Sequence, residues 1–145
     1  MIALLQRVAE ASVSIGGETV GTIGRGLLVF IGVQPTDTDA NARRLIERCL
    51  GYRVFPDDTG RMNLSLRDIS GGLLLVPQFT LAADTRKGTR ASFTAAAEPE
   101  LGARLFAVCQ ELAMHQHENV ASGRFGADMQ VALINDGPVT FWLEA

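Results

Sequence analysis

Apolar residues recur in two rhythms along this chain of 145 residues. Residues 2–9 alternate between apolar and polar and run on into Ala11-Ser12-Val13-Ser14-Ile15, the period-two signature of a half-buried strand. Gly16-Gly17 ends that run, Glu18 to Ile23 suits a partner strand, and Gly24-Arg25-Gly26 turns the chain again. Leu27 to Val33 is apolar almost throughout, which predicts a central strand covered on both faces. The rhythm then lengthens. Thr36-Asp37 offers a cap, and Leu45, Ile46, Cys49 and Leu50 form one stripe of a helix from about Thr38 to Leu50.

Tyr52 to Phe55 reads as a short strand closed by the turn Pro56-Asp57-Asp58-Thr59-Gly60. After Leu64-Ser65-Leu66 and Gly71-Gly72, Leu73 to Val76 is a second buried strand that continues into Pro77-Gln78-Phe79-Thr80-Leu81. An irregular stretch from Ala82 to Ala97 precedes a second helix that starts near Glu98-Pro99-Glu100, with Pro99 suited to its first turn, and ends near Gln116. Three late strands are expected, Val120 to Arg124, Met129 to Ile134 and Val139 to Leu143, the last two joined by a hairpin turn at Asn135-Asp136-Gly137-Pro138. Strands outnumber helices and tight turns join several of them. The expected class is α+β, a curved, barrel-like, mainly antiparallel sheet with two packed helices, in a single domain spanning 1–145.

Composition narrows the function. With 47% hydrophobic and 20% charged residues, disorder is not expected. No apolar run approaches the roughly 18–20 residues a membrane span needs, and Met1 to Arg7 reads as a strand rather than a signal peptide. A cytoplasmic protein without membrane association is the expectation. The two cysteines fall among apolar helix positions and read as reduced, buried thiols. His115 and His117, two apart, point to different sides of a helix, so no metal centre and no cofactor are expected. A net charge of −3 does not mark a general nucleic-acid binder, but Arg86-Lys87-Gly88-Thr89-Arg90 is a dense local cluster.

The usual catalytic signatures are missing: no Gly-x-Ser-x-Gly elbow, no phosphate loop, no zinc-protease histidine pair. An enzyme built this way would supply no side-chain nucleophile or base of its own. Two stretches stand out instead. One is Val76-Pro77-Gln78-Phe79-Thr80-Leu81, where a buried strand meets a proline, an amide, an aromatic ring and a hydroxyl. The other is Asn135-Asp136-Gly137-Pro138-Val139-Thr140, where proline follows directly on a glycine.

Taken together, these stretches resemble the Ser-Gln-Phe-Thr-Leu and Asn-x-Gly-Pro-Val-Thr motifs of the D-aminoacyl-tRNA deacylase (D-tyrosyl-tRNA(Tyr) deacylase) family. The similarity extends over the chain, through "MIALLQRV", "YRVFPDDTGRMNLSL", "TRKGTRASF" and "SGRFGADMQVALINDGPVTFWLE" in that order. The resemblance implies an editing hydrolase that cleaves the ester of D-aminoacyl-tRNA, and of glycyl-tRNA mischarged on tRNA(Ala), while rejecting L-aminoacyl-tRNA. It implies a homodimer in which a cis Gly137-Pro138 unit reaches into the partner's pocket and fills the space of an L side chain. Gln78, Phe79 and Thr80 are then the catalytic segment, with backbone N–H groups for the oxyanion and the terminal ribose 2′-hydroxyl of the RNA assisting attack. Arg7 braces the Gly-Pro unit, Ala97 lines the adenosine pocket, and Arg86, Lys87 and Arg90 meet tRNA phosphates.

One departure matters. Pro77 replaces the serine of the first motif, and a related subgroup that favours L-alanine on tRNA(Thr) carries proline there. Phe79 and the intact second motif favour the D-specific group. From a different class, a non-catalytic dimer in which the Gly-Pro turn only locks the subunits is the alternative.

Overall fold

In the computed structural model, which describes residues 1–145, one strand organises the molecule. β1, Ile2–Ile15, pairs antiparallel along one edge with β8, Gln130–Glu144. Its other edge is shared: residues 2–8 pair with β3, Gly26–Gly32, and residues 11–15 with β2, Glu18–Ile23. A sheet covered on two sides needs inward side chains on both faces. In β1, Ala3 and Leu5 enter the larger core cluster, whereas Val8, Ala11 and Val13 enter a second one on the opposite face. Strict alternation would return Ala11 to the first face. An irregularity in the ladder between Val8 and Glu10 absorbs one residue and keeps Ala11 and Val13 beside Val8.

β3 and β6, Gly72–Pro77, run parallel, and β6 runs parallel to β7, Val120–Ser122. Each of these links passes through a helix, as parallel neighbours require. α1, Asp39–Gly51, α2, Leu66–Ile69, and the small ladder of β4, Phe55–Pro56, with β5, Met62–Leu64, lie between β3 and β6. α3, Pro99–Gln116, lies between β6 and β7. Leu27, Val29 and Ile31 of β3 and Leu73 and Leu75 of β6 pack against Leu45, Ile46 and Cys49 of α1 and Leu105, Phe106 and Cys109 of α3. Leu28, Leu74 and Val76 face the other cluster. These strands are apolar throughout because both faces are buried.

The sheet curls until β2 nearly meets β7: a Cβ added at Gly21 would stand 3.1 Å from the Ser122 carbonyl oxygen. The architecture is therefore the barrel-like α+β fold read from the sequence, with a mixed sheet and a third, four-residue helix. α2 carries a capping box, with the Ser65 N–H and hydroxyl both donating to the Asp68 carboxylate. No helix is long and apolar enough to cross a membrane.

Three readings need correction. The Tyr52 to Phe55 strand is confined to Phe55–Pro56. Asp37 does not cap α1, whose N-cap is Thr38; its carboxylate is buried and accepts from the Met1 ammonium at 2.6 Å and from the Gln34 N–H at 2.7 Å. The expected hairpin at Asn135 to Pro138 does not form either. β8 keeps one direction from Gln130 to Glu144 because β1 is long enough to pair on both sides of the turn-like residues.

Candidate active site

What replaces the hairpin is an excursion. Gln6 pairs with Thr140 and Val8 with Asn135, so Asp136, Gly137, Pro138 and Val139 stand opposite the single residue Arg7. Asn135 closes the base of this elbow. Its side chain accepts from the Val139 N–H at 2.6 Å and donates to Thr140 Oγ1 at 2.9 Å and to the Val139 carbonyl at 3.2 Å. The Gly137-Pro138 peptide is cis, and both residues are exposed.

Arg7 stays in register with Leu27 on its backbone while its side chain spans to the elbow. Nε donates to the Asp136 carbonyl at 2.8 Å and Nη1 to the Val54 carbonyl at 2.6 Å. The side chain is only 12% exposed, and the Asp136 carboxylate lies 3.6 Å from Nε. Arg7 is thus a largely covered strut between the elbow and the segment before β4.

The second singled-out stretch lies elsewhere on the chain. β6 ends at Pro77, the Gln78 N–H donates to the Ile31 carbonyl at 2.7 Å, and the chain then tightens into a 3₁₀ turn over Phe79–Ala82. The first turn of any helix leaves its leading N–H groups without acceptors inside the helix. Here the Leu81 N–H donates back to the Gln78 carbonyl, so Phe79 and Thr80 hold those leading positions. The Gln78 amide donates to the Thr80 hydroxyl at 2.5 Å and ties the turn to the strand end.

Beside this turn is a cleft of about 440 Å³, within the range of small-molecule sites. Val76, Pro77, Gln78 and Phe79 form one wall and Phe125, Gly126, Ala127, Met129 and Val131 the other, with Ala97 and Pro99 between them. No charged side chain lines it. Phe79 is 54% exposed and packs against the exposed ring of Phe93, centroids 5.2 Å apart. The opposite wall is set by α3: Gly102 leaves room for Phe125, whose Cζ would lie 3.0 Å from a Cβ there. Met129 Sδ accepts from the Arg124 N–H at 3.4 Å and holds the loop closed.

Gln78, Phe79 and Ala97 therefore meet in one cleft, and Thr80 adjoins it. Gly137 and Pro138 do not line it within the same chain. Phe125, Met129, Pro99 and Val131 were missed as site residues; an aromatic between two glycines, Gly123-Arg124-Phe125-Gly126, is the signal that marks that wall. In the basic loop, Asp84 and Ser92 exchange backbone hydrogen bonds at 2.8 and 2.9 Å. Arg86 grips Asp84 through Nε at 2.9 Å and Nη2 at 2.6 Å, which holds that carboxyl well below its usual range. Lys87 and Arg90 are exposed, with no carboxylate in ion-pair range.

The model of the family described as D-Tyr-tRNA(Tyr) deacylase matches residues 4–144. The chain belongs to that family. A D-aminoacyl-tRNA deacylase of Thioalkalivibrio sulfidiphilus is 69% identical over 99% of this chain and 97% of its own length. Another, from Pseudomonas putida strain W619, is 60% identical over 99% of each. Among solved structures, one titled c-Myc DNA Unwinding Element Binding Protein superposes with a TM-score of 0.95 at 36% identity, covering 100% of this chain and 99% of that one. Membership makes the chain a hydrolase of the aminoacyl-tRNA ester, with tRNA as its partner.

Proposed function

We propose that the cleft takes the aminoacylated terminal adenosine of tRNA and hydrolyses D-aminoacyl and glycyl esters, including glycyl-tRNA mischarged on tRNA(Ala). One observation carries this reading: the cleft is lined by apolar groups, the Gln78 amide and backbone, with no ionisable side chain. An ester of this kind is already activated. What it needs is orientation and donors aimed at the developing oxyanion. Phe79 and Thr80 N–H groups, leading the 3₁₀ turn, supply those donors. Gln78 fixes the turn, and the substrate's own ribose 2′-hydroxyl assists the attacking water. Ala97 lines the adenosine side.

Chirality is read by exclusion. In the homodimer, the Gly137-Pro138 elbow of one protomer enters the partner's cleft and occupies the volume of an L side chain. Arg7 ties that elbow, through the Asp136 carbonyl, to the Val54 carbonyl before β4. Steric exclusion of about 4 kcal/mol gives roughly a thousandfold preference. Glycine, which presents no side chain, passes the same filter.

The test is hydrolysis of D-tyrosyl-, L-tyrosyl- and glycyl-tRNA by the purified protein, alongside a substrate whose terminal ribose lacks the 2′-hydroxyl. Loss of the D and glycyl esters only, and a large rate deficit for the deoxy substrate, is the expected result. Equal loss of D and L esters overturns the filter, and full activity on the deoxy substrate overturns the RNA-assisted step. Pro77 in the cleft wall favours a second reading, selectivity for L-alanyl-tRNA(Thr). Rapid cleavage of that ester with D-tyrosyl-tRNA spared supports it.

A further inference from the structure

An uncharged cleft leaves a polyanionic substrate with a problem: the phosphates that precede the terminal adenosine must be met outside it. On the Phe79 side, cations stand in the loop bridged at Asp84 and Ser92, which the Phe79–Phe93 contact ties to the cleft. Arg86 is already engaged by Asp84 in two hydrogen bonds, leaving Lys87 and Arg90. The Phe125 wall has a cation of its own. Arg124 precedes Phe125, is exposed, and makes no ion pair and no side-chain hydrogen bond. Its backbone N–H is pinned to Met129, so the base of the side chain is held where the wall is held.

Arg124 also lines a second groove, of about 480 Å³, which shares Phe125 with the cleft. This groove runs between α3 and β7, past Gln110 and Ser122, whose side chains are hydrogen-bonded at 2.7 Å. Its lining contains no carboxylate, and Arg124 is its one charged residue. A groove that adjoins the proposed nucleoside site at Phe125, edged by neutral polar groups and one unpaired guanidinium, suits a single RNA strand. Guanidinium is the group best matched to a phosphate.

We infer that Arg124 is a phosphate contact for the nucleotides just 5′ of the terminal adenosine, and that the acceptor strand leaves the cleft along the groove between α3 and β7. In this arrangement Arg86 is a positioning residue that braces the loop, while Lys87 and Arg90 hold the other side of the strand's exit. The inference rests on the proposed reading of the cleft as the terminal-nucleoside site.

The experiment compares two substrates, D-tyrosyl-tRNA and D-tyrosyl-adenosine, which carries no phosphate. With Arg124→Ala, KM for the tRNA ester should rise about tenfold, kcat should hold, and the salt dependence should lose roughly 0.7 in slope, one single-strand phosphate contact. Kinetics on D-tyrosyl-adenosine should be unchanged, and Arg124→Lys should recover most of the loss. Arg43→Ala, an exposed cation on α1, controls for net charge and should leave the slope intact. Equal damage to both substrates would make Arg124 a prop for the cleft wall and overturn the inference, as would no effect on either, or the same slope change in the Arg43 variant. Failure of the unmodified protein to cleave D-tyrosyl-adenosine, with the tRNA results as expected, would count against the cleft reading while supporting the phosphate contact.

Discussion

Gly137→Ala is the most direct test of the elbow. The new Cβ would stand 2.6 Å from Val139 Cγ2, 3.0 Å from the Val139 backbone nitrogen and 3.1 Å from Arg7 Nη2. Residue 137 also holds φ at +143°, a conformation that side-chain-bearing L residues rarely adopt, at a cost on the order of 1–3 kcal/mol. Rotating the Val139 side chain relieves the first contact but not the second, which is to backbone. The elbow must therefore shift, and the anchors at Asp136 and Val54 shift or break with it. A displacement of about an ångström in a positioning element costs roughly 100-fold in rate. Because the elbow is exposed, the global fold should lose only this local strain, or about 2–4 °C in Tm per kcal/mol for a chain of this size. The assay is kcat/KM on D-tyrosyl- and L-tyrosyl-tRNA, with a thermal melt as control. A D-ester rate down about 100-fold, or a D/L ratio collapsed toward one, is expected. A folded variant with both quantities at parental values would refute this account of the elbow.

Other positions separate packing from chemistry. Gly26→Ala should prevent native folding, because its Cβ would fall 1.9 Å from the Gly72 carbonyl oxygen across the parallel β3–β6 pair, and soluble yield with circular dichroism reads it. Thr80→Ala removes the acceptor of the Gln78 amide but no backbone donor, so kcat should fall less than about tenfold. Loss of nearly all activity in a folded Thr80 variant would assign the hydroxyl a direct role. Asp37→Asn leaves the buried Met1 ammonium without its counter-charge, and urea denaturation should show a loss of roughly 3–5 kcal/mol. Burial pushes the Cys49 and Cys109 thiols up to about 12 from 9.0. A raised thiol pKa keeps protons on the folded state that the unfolded state releases. Stability is therefore full below pH 9 and falls as pH rises toward 12, by about 1.4 kcal/mol per pH unit for each thiol. Cys49→Ala with Cys109→Ala should flatten urea midpoints between pH 9 and 10.5, and both native thiols should resist alkylation at pH 8.

Much of this fold was legible because its signals are local. The continuous apolar runs of β3 and β6 announced strands buried on both faces, and the stripe from Leu45 to Leu50 announced α1. α2 went unread: the capping spacing of Ser65 and Asp68 was its signal, but four residues carry little periodicity. The misread elements depend on distant partners. Asn135 to Pro138 is composed as a hairpin turn, and only the length of β1 turns it into an excursion within one strand. Asp37 looks like a cap until the Met1 ammonium, 36 residues away in sequence, takes it. At the site, one cleft wall announced itself at Gln78 and Phe79, where strand chemistry breaks off. The other wall did not, because Phe125 and Met129 gain their positions from Gly102 on α3 and from a sulfur-capped loop.

The elbow and the core are mechanically linked, which bears on how a discriminating surface can be made from main chain. A four-residue excursion from an edge strand would ordinarily be among the most mobile parts of a sheet. Here both ends are fixed by the β1 ladder, at Gln6 opposite Thr140 and at Val8 opposite Asn135, and Asn135 closes the neck. The middle is fixed by Arg7, whose own backbone is locked to β3 and whose guanidinium reaches the Val54 carbonyl, beside the fully buried Val54 and Phe55 side chains. A wall held in this way can reject by position alone, since displacing it means breaking charge-assisted hydrogen bonds of about 1.5–3 kcal/mol each rather than rotating a side chain. For the proposed filter, an arginine within the first strand, facing the glycine-proline pair of β8, is the feature that would make selectivity by backbone physically workable.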